Sequence, residues 1–142
     1  MTQVQTMTNP ELNRALAELM GYTVRTYRNG KSVLIGPNLR IVSAKECFPA
    51  EVWEDAPNYC TDPAASLEVQ TAAIADNKLV YLNTLLSMVN PFEDIESAYG
   101  GELKVVGYTI DGTSALLTAS PRERAEAAYI TLQGAQNERN NR

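Results

Sequence analysis

Four times along this chain, a residue able to accept a hydrogen bond from a helix's first turn stands directly before a proline. The pairs are Asn9-Pro10, Asp62-Pro63, Asn90-Pro91 and Ser120-Pro121. Each sets an N-cap acceptor ahead of a residue whose missing N–H costs nothing at the first helical position. A chain punctuated in this way is committed to helices at four places, and any sheet must be built from the intervals. The first mark predicts a helix to about Met20, with Leu12, Ala15, Leu16 and Leu19 on one face and Gly21 as its stop. The second opens an alanine-rich helix with Ala65, Val69, Ala72 and Ala73 on one stripe. Beyond Asp76-Asn77, Leu82, Leu85, Leu86 and Val89 repeat at helical spacing, so either one helix runs to Met88 or two are broken near Asn77. Two are favoured. The third mark predicts a short helix with Phe92, Ile95 and Tyr99 inward, ended by Gly100-Gly101. At the fourth, Ser120, Pro121 and Glu123 stand in register as cap, first-turn proline and capping-box glutamate. That helix is expected to reach Leu132, to bury Ala125, Ala128, Tyr129 and Leu132, and to end at Gly134.

The intervals supply strands. Tyr22 to Arg28 and Lys31 to Ile35 flank Asn29-Gly30, a strong hairpin signal. Tyr22, Val24 and Thr26 alternate with Thr23, Arg25 and Tyr27, a period that predicts one buried and one wet face. Pro37 ends the second strand, and Leu39 to Val42 reads as a short third strand or as a plain continuation of the chain. Leu103 to Ile110 favours extended backbone, Asp111-Gly112 offers the φ > 0 positions of a second two-residue hairpin, and Ala115 to Ala119 returns. Between Ser43 and Thr61 the pattern fails and a long loop with one helical turn is expected. Loops of that length in compact domains are often functional. The expected fold class is therefore α+β: a small antiparallel sheet of two hairpins sandwiched between helices. One domain spans 9–133, with a flexible start (1–8) and a polar, disordered tail (134–142).

A chain of 142 residues can bury a core without metal or disulfide staples. Cys47 and Cys60 are too few for a disulfide framework, and without any histidine they fall short of a zinc site. They are read as free thiols. Absent histidine also rules out Ser-His-Asp and Cys-His catalysis, which lowers the expectation of an enzyme. Residues 1–60 carry six basic and six acidic side chains; the rest carry six basic against eleven acidic, the whole of the net −5. No phosphate-binding cluster is evident on that division, and a pI near 4.7 argues against nucleic acid. No apolar run reaches the ~18 residues of a membrane span. The first residues resemble no secretory signal, so a cytoplasmic location is expected.

Three stretches carry a family resemblance. Leu12-Asn13-Arg14-Ala15-Leu16-Ala17-Glu18-Leu19-Met20-Gly21-Tyr22 looks like an opening helix with its glycine and aromatic. Asn58-Tyr59-Cys60-Thr61-Asp62-Pro63-Ala64-Ala65 is similar to the start of a second helix. Thr118-Ala119-Ser120-Pro121-Arg122-Glu123-Arg124-Ala125-Glu126-Ala127-Ala128 looks like a final strand-to-helix element. Together they resemble the phage ABA-sandwich domain family, small proteins of tailed bacteriophages and prophages. The segment from Asn77 to Gly101 departs from the family pattern. The resemblance implies an antiparallel sheet between helical layers, a viral accessory role in the host cytoplasm, and no particular reaction.

Candidate sites are few. For Glu93, Asp94 and Glu96 a metal site is conceivable because the i and i+3 carboxylates share a helix face, but hard cations need more oxygens, so a solvated first turn is the better reading and no metal or cofactor is implied. Ser120, Arg122 and Arg124 at a helix N-terminus could hold a phosphate. The competing reading pairs Arg122 with Glu126 and closes the capping box with Glu123. Trp53 and Tyr59 could stack on a base or fill a partner's pocket, or simply plug the loop onto the core. The expected function is a non-enzymatic phage accessory protein that binds and inhibits a host protein, with an anti-defence role. The alternatives are a protein that sequesters a small nucleotide signal and a virion or assembly component. A homo-oligomer is compatible with either, and no membrane partner is expected.

Overall fold

The computed structural model describes residues 3–43, 45–90 and 110–142. Its elements, in chain order, are α1 (Gln3–Thr6), α2 (Asn9–Leu19), β1 (Thr23–Thr26), β2 (Ser32–Ile35), a 3₁₀ turn (Val52–Asp55), α3 (Pro63–Val89), α4 (Ile110–Leu117) and α5 (Pro121–Asn140). The described chain is mostly helical, with a two-stranded antiparallel sheet. The expected short helix after Asn90-Pro91, and the strand from Leu103, lie outside the described residues.

The proline marks at Pro10, Pro63 and Pro121 work as helix starts, with one shift of register. Asp62 caps α3 by accepting from the Ala64 amide at 3.0 Å. Ser120 and Glu123 form the full capping box at α5. At α2 the cap is Thr8, not Asn9: Thr8 and Glu11 close the box, and Pro10 moves one place into the first turn. Thr8 wins because only it has a glutamate three residues on. The stop at Gly21 is a Schellman motif, with Tyr22 N–H on Ala17 O and Gly21 N–H on Glu18 O. Gly21 has φ +95°, a backbone state that glycine adopts without strain.

Helix α3 is interrupted where two helices were favoured: Asn77 has φ −152° and ψ 89°. Its Oδ1 accepts from the Val80 amide at 3.2 Å, so the residue that breaks the first half caps the second. The main core lies between α3 and α5, with α2 and α1 also packed on α5. Facing residues are small, Ala65, Ser66, Val69 and Ala73 on α3 against Ala125, Ala127, Ala128 and Thr131 on α5. Small side chains let two helices approach closely, toward the short end of the ~8–10 Å interaxial range. Leu12, Leu16, Tyr81 and Leu85 fill the remaining volume, each fully buried aliphatic chain contributing about 1.5–3 kcal/mol.

Several expectations are corrected. Asp111-Gly112 is not a hairpin turn but the first turn of α4, and Ala115 to Leu117 continue that helix. Gly112 is buried and α4 packs on α3, so close helix packing outweighs the local turn preference of Asp-Gly. Helix α5 does not stop at Gly134. Arg139 Nη2 pairs with Asp76 Oδ1 at 2.7 Å, fixing the last turns beside the α3 break. The start of the chain is also structured: Val4 in α1 is 2% exposed. No described helix is long and apolar enough to cross a membrane.

Replacing Asn77 by alanine removes a cap without touching the core. Urea unfolding of Asn77→Ala should show a loss of about 1 kcal/mol at unchanged m-value.

Candidate functional site

Arg28-Asn29-Gly30 makes the hairpin turn, though as three residues rather than two. Gly30 N–H returns to Tyr27 O at 3.0 Å, Tyr27 N–H meets Lys31 O at 2.8 Å, and Gly30 alone carries the positive φ, +79°. This is a type I turn followed by a left-handed glycine. Asn29 Oδ1 steadies it by accepting from the Lys31 amide at 3.0 Å. Beyond the turn, β1 and β2 pair Thr26 with Ser32, Arg25 with Val33, Val24 with Leu34 and Thr23 with Ile35.

The chain then comes back along the other side of β2. Val42 N–H donates to Leu34 O, and Ser32 and Cys47 exchange both backbone hydrogen bonds. The buried Ser43 hydroxyl accepts from the Leu34 amide at 2.7 Å. Leu39 to Val42 thus forms one bridge, Ile35 to Ile41, rather than a strand. Lying between β1 and this returning segment, β2 is buried along its whole length, whereas all of β1 is exposed. The alternation predicted for β1 is not realised. Burial follows the strand's place in the ribbon.

The ribbon's surface exposes apolar and basic side chains together. Exposed apolar side chains gather on it and on the chain that follows: Val24, Tyr27, Leu39, Ile41, Val42 and Phe48. Leu39 is 85% exposed and sits at φ 62°, a left-handed state that costs a non-glycine residue about 1–3 kcal/mol. Neither burial nor backbone preference accounts for leucine there. Basic residues join them. From Tyr22 to Lys45 the sequence has Arg25, Arg28, Lys31, Arg40 and Lys45 and no acid at all. All five are exposed, and the three ion pairs of the described residues involve other cations. The charge division at residue 60 hid this segment by adding Glu11, Glu18 and the Glu46 to Asp55 acids to it. A count of acid-free runs would have found it.

The residues singled out in the sequence fall elsewhere. Arg122 spends its guanidinium on structure: Nε meets Glu126 at 2.6 Å, Nη1 meets Asn9 Oδ1 and the Cys60 sulfur, and Nη2 meets the Val4 and Met7 carbonyls. All five N–H donors are thereby used. Ser120 is the α5 cap. Arg124 reaches Ser66 Oγ at 3.5 Å and Leu117 O at 3.4 Å. Tyr59 is 1% exposed and belongs to the core. Trp53 is half-buried beneath the Arg14 guanidinium, 5.1 Å from ring centroid to Cζ. A groove of about 460 Å³ opens beside it, lined by Pro10, Asn13, Arg14, Ala50 and Ala56 among others. Tyr59 and Arg122 meet only through Cys60, and Trp53 stands apart against α2. No clamp for a base is formed by these three.

Neither thiol is prepared as a nucleophile. Burial raises the Cys60 pKa, and the Arg122 guanidinium offsets this only in part. For Cys47 burial comes first, and the carboxylates of Asp55, Glu51 and Glu54 push the pKa the same way. Among the described residues, no group of three or more metal-ligating side chains is found. Glu93, Asp94 and Glu96 lie outside them. Comparison with protein-family models, with curated proteins and with solved structures found no match.

Two measurements check the structural roles of these residues. Arg122→Met leaves Glu126 and two main-chain carbonyls without their donor, so unfolding free energy should fall by about 2–4 kcal/mol. A phosphate-binding arginine would leave stability unchanged or raise it. Tyr59 and Tyr81 are both held neutral, chiefly by burial, with pKa raised above the ordinary phenol value. In the unfolded chain they ionise near ~10. Stability is therefore intact below that pH and lost as pH rises past it. In an ultraviolet titration of the seven tyrosines, these two should ionise only as the protein unfolds.

Proposed function

We propose that the chain is a non-enzymatic accessory protein of the phage ABA-sandwich type, which binds a host protein in the bacterial cytoplasm and inhibits it. The observation that carries the binding reading is the ribbon. Among the described residues, six large apolar side chains stay exposed on this one small module, against four, Leu67, Ile74, Ile110 and Leu117, spread over α3 and α4. Monomeric proteins rarely leave contiguous apolar surface in water unless it meets something. The family and its sandwich arrangement rest on the quoted sequence resemblance, and the inhibitory role is inferred from the small size of the chain. Sequestration of a nucleotide is less favoured, since Arg122 and Tyr59 are committed to the core.

The test is retention of a partner. Full-length tagged protein incubated with bacterial lysate at physiological salt should retain one protein in stoichiometric amount, and Ile41→Asp with Phe48→Asp should release it. Retention of nothing, or retention that these variants leave intact, would overturn the reading. Thermal unfolding in the presence of cyclic dinucleotides should show no shift; a clear one would restore the nucleotide alternative.

A further inference from the structure

Resting on the binding reading above, we infer that the ribbon from Tyr22 to Phe48 is a docking face for an acidic protein surface, with Arg25, Arg28, Lys31 and Arg40 as its cationic contacts. The charge distribution carries this. Tyr22 to Lys45 is net +5, while the remaining chain holds seven of the twelve basic residues and all seventeen acidic ones, a net of −10. The overall −5 conceals two bodies of opposite sign. At physiological salt, fields decay over about 8 Å, so a partner at the ribbon feels the local cations more strongly than acids beyond that range.

Antiparallel partners share a face of the sheet. Arg25 and, through its bridge to Ile35, Ile41 therefore lie on one face, with Tyr27 in the same alternation; Val33 and Ile35 between them are buried, and the exposed Val24 and Val42 lie with Leu34 on the other face. Arginine and tyrosine beside exposed aliphatic side chains is the mixture that protein interfaces concentrate at their centres. At one end Leu39 projects from a strained left-handed turn, and at the other Arg28 and Lys31 flank the hairpin turn.

A polyanionic nucleic acid would use the same cations, but the rest of the surface fits it poorly. Bases stack on aromatic planes. On the ribbon Tyr27 and Phe48 are aromatic, but Val24, Leu39, Ile41 and Val42 are aliphatic. Acids also border the ribbon. Glu46 accepts from Asn29 at 3.3 Å beside the hairpin turn, and Glu51, Glu54 and Asp55 line a depression with Lys45 and Cys47. A phosphate strand longer than the ribbon would run onto them. A protein surface that presents acids only opposite the four cations, with apolar residues between, avoids that repulsion.

Four fluorescent probes decide the matter with the intact chain. They are a short peptide alternating acidic residues with leucine and phenylalanine, an oligoglutamate of equal length, a thymidine oligonucleotide and a mixed-sequence duplex. The alternating peptide should bind tightest, with oligoglutamate and both nucleic acids at least roughly tenfold weaker. Combined Arg25→Glu, Arg28→Glu and Lys31→Glu, all exposed positions, should weaken peptide binding about tenfold or more, with an unchanged circular dichroism spectrum. Ile41→Ser should weaken it at constant salt dependence.

Tighter binding of either nucleic acid, peptide binding indifferent to charge reversal, or no binding of any probe would each overturn the inference. Self-association that the charge-reversed variant abolishes would assign the face to a second copy of the chain, and would overturn it equally. If the peptide fails while Ile41→Asp with Phe48→Asp still releases a captured partner, only the charge assignment falls. If those variants change neither experiment, the binding reading falls as well.

Discussion

A single guanidinium ties together the parts of this chain that are furthest apart in sequence. Arg122, in the first turn of α5, gathers the carbonyls of Val4 and Met7, the side chain of Asn9, the sulfur of Cys60 and the carboxylate of Glu126. Through it α1, the start of α2 and the approach to α3 are all fixed on α5. Burying such a charge is favourable only when its hydrogen bonds are complete, and here they are. Asn13 repeats the device on a smaller scale, donating to Asn58 and accepting from the Cys60 amide. These polar anchors set where the helices begin. The apolar contacts between α3 and α5 then set how tightly they close.

Once the helical body is fixed in this way, the ribbon is left with a different task. Its inner strand is satisfied on both sides, by β1 and by the returning segment to Cys47. Its outer surface is not arranged for stability. Leu39 holds an unfavourable backbone state in solvent, five cations lack ion-pair partners among the described residues, and aliphatic side chains face water. Natural sequences break several local rules at once chiefly where function requires it.

How much of this was legible in the sequence depends on the range of the interaction concerned. The caps at Asp62, Ser120 and Glu123, the stop at Gly21 and the break at Asn77 could be read directly, because each is settled within four residues. Asp111-Gly112 misled for the same reason. Its turn preference is local, but its place in α4 is decided by packing on α3. The pairing of Arg122 with Glu126, four residues on, could be read, but its acceptors at Val4, Met7 and Asn9 could not, since they lie more than a hundred residues away. Tyr59 shows the same limit: aromatic character marks both an anchor and a core plug, and only burial separates them.

Charge was legible but needed the right window. Electrostatic recognition acts over distances of about 8–10 Å, a scale set by structural modules and not by halves of a chain. A hairpin and its returning segment form such a module, and Tyr22 to Lys45 is one. Averaged over the molecule, its +5 vanishes into a net −5. An acidic body would favour a basic partner only if the partner met that body. Six of the ten large apolar side chains exposed among the described residues lie on the basic module, which is why the inferred contact is placed there. The −10 elsewhere then acts against misdirected encounters, repelling acidic surfaces from every approach but the productive one.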